Sequence, residues 1–408
     1  MSDLLFRFLH AADFRLDTPL HGVAEVPDAI SRWMIDAPYV AAERVFDAAI
    51  QEQVKLVVLS GNLLDLVEPH PRAICFVRDQ LARLAGHGVT VCWAGGVRDG
   101  GGQWPASIAL PPSVHHFQAA AVDTLALEKQ LEFPLTVVGR SGGENTAIRA
   151  SDFFVEARES FLVAVTCGEA DGAVLAMQPI DYWALGGRNE RKTLATEPHT
   201  VHYPGTPQGR QPMAVGPYGC TIVDILASRQ VRLRFVSCEA ARWQHERVLV
   251  SSGTVWEDLE QKLAERIQDL RAQQPNGPLL TRWTLVATDV AEDPAVWREL
   301  RERTDKWLRK QAASQSDPCW PLAVDVEIPD RITAASYKED TLLGDYLRAI
   351  RQLQDSPQPA DLSAVSALGA GVPEMQWVTD LSDPAVRAQV LQEAAEMGAA
   401  LLRGEKMV

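Results

Sequence analysis

The chain has 408 residues, 46% hydrophobic and 23% charged, with a formal net charge of −15. That length supports one sizeable domain with one or two smaller ones, and the composition is that of a globular protein, not a disordered or fibrous one. The acidic balance excludes nucleic-acid binding through overall attraction, so a DNA partner would need a local basic patch.

No apolar stretch approaches the ~20 residues of a membrane helix. The N-terminus runs straight into a strand-like segment with no leader signature, so a cytoplasmic location is expected. The cysteines at 75, 92, 167, 220, 238 and 319 form no Cys-x-x-Cys pair and suit reduced, mostly buried thiols.

Residues 4–12 read as a first strand ending at Asp13. Ala41, Ala42, Val45, Phe46, Ala49 and Ile50 recur at helical spacing and predict a helix over 38–53. Lys55–Ser60 is a β-branched run, a buried strand ending at Gly61. A second helix is expected over 71–86, with Ile74, Val77, Leu81, Leu84 and Ala85 on one side. A third strand, Val89–Ala94, breaks into a Gly-rich loop at 95–102. This alternation is that of a layered α/β sheet with its loops at the carboxyl ends of the strands.

Beyond the prolines at 111–112 the strands shorten. They are expected at Leu135–Gly139, Phe161–Thr166, Tyr182–Leu185, Thr200–Tyr203, Cys220–Leu226 and Val231–Val236, forming a second sheet packed on the first. Residues 241–335 read as a small α/β unit: strand Arg247–Val250, helix Trp256–Gln273, strand Arg282–Thr288, helix Pro294–Ala312 and strand Leu322–Ile328. The remainder, 336–408, is helical at Thr341–Gln354 and Pro384–Arg403, with a Pro/Ser-containing linker between.

Four loops stand where such sheets place their chemistry: Ala-Asp-Phe-Arg at 12–15, Gly-Asn-Leu-Leu-Asp at 61–65, Gly-Val-Arg-Asp at 96–99 and Ala-Leu-Gly-Gly-Arg-Asn-Glu-Arg at 184–191. Any one of them alone is a turn. Their order, with Phe8-Leu9-His10-Ala11-Ala12-Asp13, Tyr182-Trp183-Ala184-Leu185-Gly186 and the stretch from Tyr203 to Arg210, resembles the calcineurin-like metallophosphoesterases, and within them the SbcD-type DNA exonuclease branch. The resemblance covers roughly 6–240 well. It implies a four-layer α/β/β/α metallophosphoesterase sandwich over 1–240, a small α/β cap at 241–335 and a helical C-terminal tail at 336–408. It also implies two manganese or magnesium ions ~3.5–4 Å apart, bracketing the attacking and leaving oxygens of a phosphodiester.

Position by position, most of that ligand set is replaced. Asp13 matches the first ligand, but the histidine two residues on is Arg15. The bridging aspartate falls on Asn62, while Asp65 is kept. The asparagine and catalytic histidine of the third loop fall on Val97 and Arg98, with Asp99 retained. A histidine falls on Cys167, and the final pair on Gly187 and Asn189. A guanidinium neither deprotonates near neutral pH nor ligates a cation, so Arg15, Arg98 and Arg188 oppose ion binding. Two roles are open to the arginines: counter-charges pairing bidentately with Asp13, Asp65 and Asp99, or, with Arg210, contacts for a phosphate.

The expectation is therefore a protein without metal cofactor or catalytic residues, a silent relative serving as scaffold or DNA-contacting subunit beside a coiled-coil, SbcC-like ATPase. Helices 341–354 and 384–403 are the candidates for that contact, and the family's homodimer is expected. The alternatives are an active phosphodiesterase with a rearranged site on Asp13, Asp65, Asp99 and Cys167, or a small-anion sensor using the arginines. The loop at 95–102 lacks the Lys-Ser/Thr of a P-loop. His10 is expected to pack behind the site, His115-His116 to form a solvated turn, and Trp243 and Trp256 to seat the small unit on the core.

Overall fold

The computed structural model describes residues 4–23, 28–100, 104–143, 146–155, 159–274, 277–289, 295–313, 315, 317–328, 335–356 and 384–402. Strands β1 (Leu4–Ala12), β2 (Leu56–Ser60), β3 (Thr90–Ala94) and β4 (Val114–Phe117) are interleaved with helices α1 (Asp28–Gln51) and α2 (Pro71–Gly86). Next come β5 (Asp123–Ala126), the short α3 (Glu128–Leu131), β6 (Leu135–Gly139), β7 (Phe161–Cys167), the short α4 (Gly172–Ala176), β8 (Tyr182–Gly186), β9 (Lys192–Ala195) and β10 (Thr200–Tyr203). Two longer strands follow, β11 (Gly219–Leu226) and β12 (Val231–Ser237).

Alternation along each strand fixes two sheets face to face. In β1, Phe6 and Phe8 point one way and Leu9 and Ala11 the other; Leu56 and Val58 oppose Val57 and Leu59 in β2. One sheet has the order β12-β11-β1-β2-β3-β4, with β1 to β4 parallel; the other has the order β5-β6-β7-β8-β10-β9, parallel from β6 through β8 to β10. Phe8, Leu56, Val58 and Cys92 pack between the sheets against Val137, Phe161, Val163 and Tyr182. Outside the first sheet, Val57, Leu59 and Trp93 meet Val45, Phe46, Ile74 and Leu81 of α1 and α2. Outside the second, Leu162, Trp183 and Val201 meet Phe153, Leu175 and Ile180. The core is a four-layer α/β/β/α sandwich. A one-residue slip of β1 would turn Phe6 and Phe8 out of the middle layer, so its register is strongly set.

Two local expectations change. Helix α1 starts ten residues before Pro38 and carries that proline inside it; the proline removes one backbone bond, and the Met34 carbonyl it would have bonded accepts the Leu20 N–H at 3.2 Å. His115 and His116 are not a solvated turn: they lie in β4, paired with Cys92 and Trp93, and His116 stacks on Trp93 with ring centroids 4.1 Å apart.

The small α/β unit has β13 (Arg242–Val250), α5 (Trp256–Gln273), β14 (Leu279–Ala287), α6 (Ala295–Ala313) and β15 (Cys319–Glu327), with sheet order β13-β14-β15. Trp243 is buried in one cluster with Leu20, Ile30, Met34, Leu280 and Trp320, its indole N–H donated to the Gly209 carbonyl at 2.8 Å. Trp256 instead stays half-buried on its own helix, bonded to Glu260 and capped by Arg303.

By internal contacts, Met1–Val248, Val255–Leu285 and Arg298–Asp325 group as one compact unit. The described residues of Leu249–Thr254, Val286–Trp297 and Val326–Val408 form a second. The second holds α7 (Leu342–Asp355) and α8 (Pro384–Leu402). Leu347 and Ile350 pack on Leu391, Ala395 and Ala399, and Tyr346 lies over Gly398, where a Cβ would come within 2.2 Å of its ring. Positions 101–102 of the Gly-rich loop, 357–383 of the expected linker, 329–334 before the tail and Arg403 lie outside the described residues.

Candidate functional site

The parallel strands β1, β2, β3, β7 and β8 all deliver their following loops to one edge of the sandwich. Asp13, Asn62, Cys167 and Gly187 meet around Gly61. A Cβ on that glycine would lie 2.9 Å from Asp13 Oδ1, 3.3 Å from Cys167 Sγ and 3.3 Å from the Gly187 nitrogen, and its φ is +88°. Asn62 in turn presses on Gly96, where a Cβ would lie 2.5 Å from Asn62 Oδ1. The loops marked in the sequence therefore converge.

Each carboxylate there is met by N–H donors. Asp13, fully buried, accepts Asn62 Nδ2 at 2.9 Å on one oxygen and the Gly187 backbone N–H at 2.7 Å on the other. Asp99, also fully buried, accepts the backbone N–H groups of Leu63 at 2.7 Å and Gly96 at 2.5 Å and the Trp93 indole at 3.1 Å. Burial pushes Asp99 up to about 6 against the lowering effect of those three donors. Asp65 accepts Val67 and Glu68 backbone N–H groups on one oxygen and the Arg98 guanidinium at 2.8 Å on the other. This pairing of Arg98 is a single contact, not a bidentate one, and the Arg98 side chain is 58% exposed.

Backbone strain sits in the first loop, where Asp13 and Arg15 have φ of +53° and +44°. Non-glycine residues persist in the left-handed region only when their surroundings over-determine them. Arg210 does much of that. Its Nε donates to the Thr18 carbonyl at 3.4 Å, its Nη1 to Thr206 Oγ1 at 2.9 Å and the Gln208 carbonyl at 3.2 Å, and its Nη2 to the carbonyls of Phe14 and, at 3.3 Å, Arg15. Thr206 Oγ1 donates to the Asp13 carbonyl at 2.8 Å. Burial, reinforced by Arg15, pulls Arg210 down to about 9 while Asp13 acts the other way, so it remains a cation at neutral pH. All five guanidinium N–H groups are engaged within the protein, which leaves Arg210 no donor for a phosphate.

Two cavities flank this cluster. One, of about 370 Å³, is lined by Arg15, Asp17, Thr18, Asn62, Leu64, Asp65, Val97 and Arg98. The other, of about 410 Å³, is lined by Gly168, Glu169, Gly187, Arg188, Asn189, Glu190 and Lys192. Each sets two cationic side chains against two carboxylates, so neither offers an anion a net positive field. Arg188 lies over the Tyr203 ring at 5.1 Å.

As arranged, this donor set does not fit a pair of divalent ions. The oxygens of Asp13 and Asp99 already face N–H groups. Cys167 is a soft ligand mismatched to manganese or magnesium, and among the described residues no three His, Cys, Asp or Glu side chains are grouped to hold a metal. Sequence reasoning missed Asp17, which accepts the Asp65 backbone N–H at 2.6 Å, and Trp93, whose indole serves Asp99. Asp17 lies in the turn after β1 and Trp93 within β3, and neither carries a local signal of that role. His10 does pack behind the site, fully buried, with its ring nitrogens 2.8 Å from the Tyr182 hydroxyl and 2.7 Å from Ser60 Oγ.

No family model matches the chain. It is similar to an uncharacterized metallophosphoesterase, YhaO, of Bacillus subtilis (strain 168), with 26% identity over 341 residues covering 78% of this chain and 81% of that protein. The chain is thus a distant homologue of a metallophosphoesterase, which supports a place in the calcineurin-like metallophosphoesterase family. No helix among the described residues is long and apolar enough to cross a membrane.

Proposed function

We propose that this distant homologue of a metallophosphoesterase has given up hydrolysis and serves as a non-catalytic subunit of an SbcD-type assembly with a coiled-coil ATPase. One observation carries the reading: both oxygens of Asp13, the surviving first ligand, accept hydrogen bonds from Asn62 and Gly187. Two-ion phosphoester cleavage needs those lone pairs on metal, and neither N–H donor can be displaced without opening the loops around it. The flanking guanidinium groups of Arg15 and Arg98 add to the cost of bringing Mn²⁺ in.

The partner surface in this reading is the α7–α8 hairpin. One side of it is packed, while Leu342, Met397 and Leu401 stay 72%, 52% and 57% exposed. Apolar side chains exposed on paired helices suit a further helix laid against them. DNA, if held, would be gripped locally and not by overall charge, given the net −15.

Elemental analysis of purified protein and an assay of Mn²⁺-dependent bis-p-nitrophenyl phosphate hydrolysis test the silent pocket. The expected result is no stoichiometric transition metal and no turnover. Hydrolysis that Asp13→Ala abolishes would sink the reading. For the partner, Met397→Glu with Leu401→Glu is expected to abolish co-purification with a coiled-coil, SbcC-like ATPase co-expressed with this chain. Undiminished capture would move the contact elsewhere.

A further inference from the structure

The Asn62 side chain, at the centre of the pocket, both gives and takes hydrogen bonds between loops. Its Nδ2 donates to Asp13 at 2.9 Å, while its Oδ1 accepts the Arg98 backbone N–H at 3.4 Å. Its own carbonyl accepts the Arg15 N–H at 2.9 Å, and its side chain is seated against Gly96 at a distance no Cβ would allow. The loops after β1, β2 and β3 are thus stitched through one residue that is 3% exposed. A carboxylate in its place would have the same shape but no N–H, and would set two buried anionic oxygens about 2.9 Å apart. Such a pair holds together only around a cation or a shared proton.

We propose that the Asn62 carboxamide stands in for a divalent cation: its N–H, with that of Gly187, supplies to Asp13 the positive charge density an ion would, and this makes the fold of these loops independent of metal. The proposal rests on the silent-pocket reading and gives it a mechanism. It assigns Asn62 as the residue that decides between a pocket held by hydrogen bonds and one held by ions.

Thermal unfolding of the full chain in EDTA and in graded MnCl₂ tests it. The wild type is expected to unfold at one temperature in both. Asn62→Asp is expected to lose roughly 5–10 °C in EDTA and to recover progressively as Mn²⁺ rises, because a ligand bound to the folded state alone stabilises it by mass action. Asn62→Ala is expected to fall without recovery, having neither donor nor ligand. The exchange Asp13→Asn with Asn62→Asp restores one carboxamide facing one carboxylate and is expected to unfold near the wild-type temperature, indifferent to Mn²⁺. That arm keeps the test open should Asn62→Asp alone fail to fold. An Asn62→Asp protein as stable as wild type in EDTA, a loss that Mn²⁺ does not reverse, or an exchange variant that stays destabilised would each overturn the proposal. A wild-type unfolding temperature that climbs with Mn²⁺ is a separate result, read on the unaltered chain. It overturns the silent-pocket reading, and the proposal with it.

Discussion

Two polar clusters are buried in the sandwich, one directly behind the other. At the carboxyl edge, the carboxyl groups of Asp13 and Asp99 are surrounded by N–H donors, and the loop that carries Asp13 is clamped by the Arg210 guanidinium. Behind them, between the sheets, His10 bonds Tyr182 and Ser60, while His202 bonds Thr193 at 2.9 Å and Thr221 at 2.9 Å. The rear cluster is kept neutral. Burial holds His10 well below the ordinary histidine value, with the neighbouring His202 adding to it, and takes His202 down to about 3. The contrast shows two ways to keep polar groups in a dry interior. The edge keeps its charge and saturates it with donors, whereas the seam discards its charge and pairs hydroxyls with neutral rings. The edge should therefore be sensitive to loss of donors, and the seam to acid.

The largest effect expected from breaking this contrast is at Arg210. Arg210→Met removes a buried cation and leaves the carbonyls of Phe14, Arg15, Thr18 and Gln208 without that donor. A loss of about 3–5 kcal/mol is expected, equivalent to roughly 10 °C for a domain of this size. Arg210→Lys should recover little of it, since an ammonium has the charge but not the planar fan of five donors. Full rescue by lysine in a denaturation series would show that charge, not the hydrogen-bond fan, holds the loop.

Acid should act next, on the neutral histidines of the seam and on His116, which stacks on Trp93 at the outer face of the first sheet. A histidine depressed in the folded state binds its proton more readily when unfolded, so the unfolded chain takes up protons first as pH falls. Stability from His202 and His116 is therefore fully present above about 6.5 and is lost as pH falls, down to about 4 for His116 and about 3 for His202. His116→Phe keeps the stack on Trp93 and removes the titrating ring, whose Nε2 is buried without a hydrogen-bond partner. Unfolding temperature against pH should fall less steeply between 6.5 and 4 in this variant, at little cost near pH 7. An unchanged slope would remove His116 from the account.

Much of this was legible in the sequence because strand ends announce themselves. Leu56–Ser60 and Phe161–Cys167 are apolar runs cut by glycine, and the helix Pro71–Gly86 has its proline at the start and its apolar side at regular spacing. The convergence of Asp13, Asn62, Cys167 and Gly187 followed from loop order. What stayed hidden is what depends on contacts between distant residues. His115-His116 reads as polar and takes its place in a strand only because β3 and Trp93 lie beside it. Nothing around Arg210 tells it apart from a phosphate contact; three of the four carbonyls it serves belong to a loop 192–196 positions away. The partner of each arginine was the least legible feature of all, since side-chain reach is not encoded in spacing.

The smallest expected effect sharpens that last point. Arg98 replaces a histidine of the resembled pattern just as Arg15 does, yet its guanidinium is 58% exposed and meets Asp65 through one contact. Asp65 retains the Val67 and Glu68 N–H groups whether or not Arg98 is present. Arg98→Ala should therefore cost about 0–1 kcal/mol, within the range of surface ion pairs, and the difference from wild type should shrink at high salt as the pair is screened. A loss comparable to that of Arg210→Met, persisting in high salt, would mean that the edge is held by its outer arginine as well as by its buried one. The division between a saturated interior and a solvated rim would then have to be redrawn.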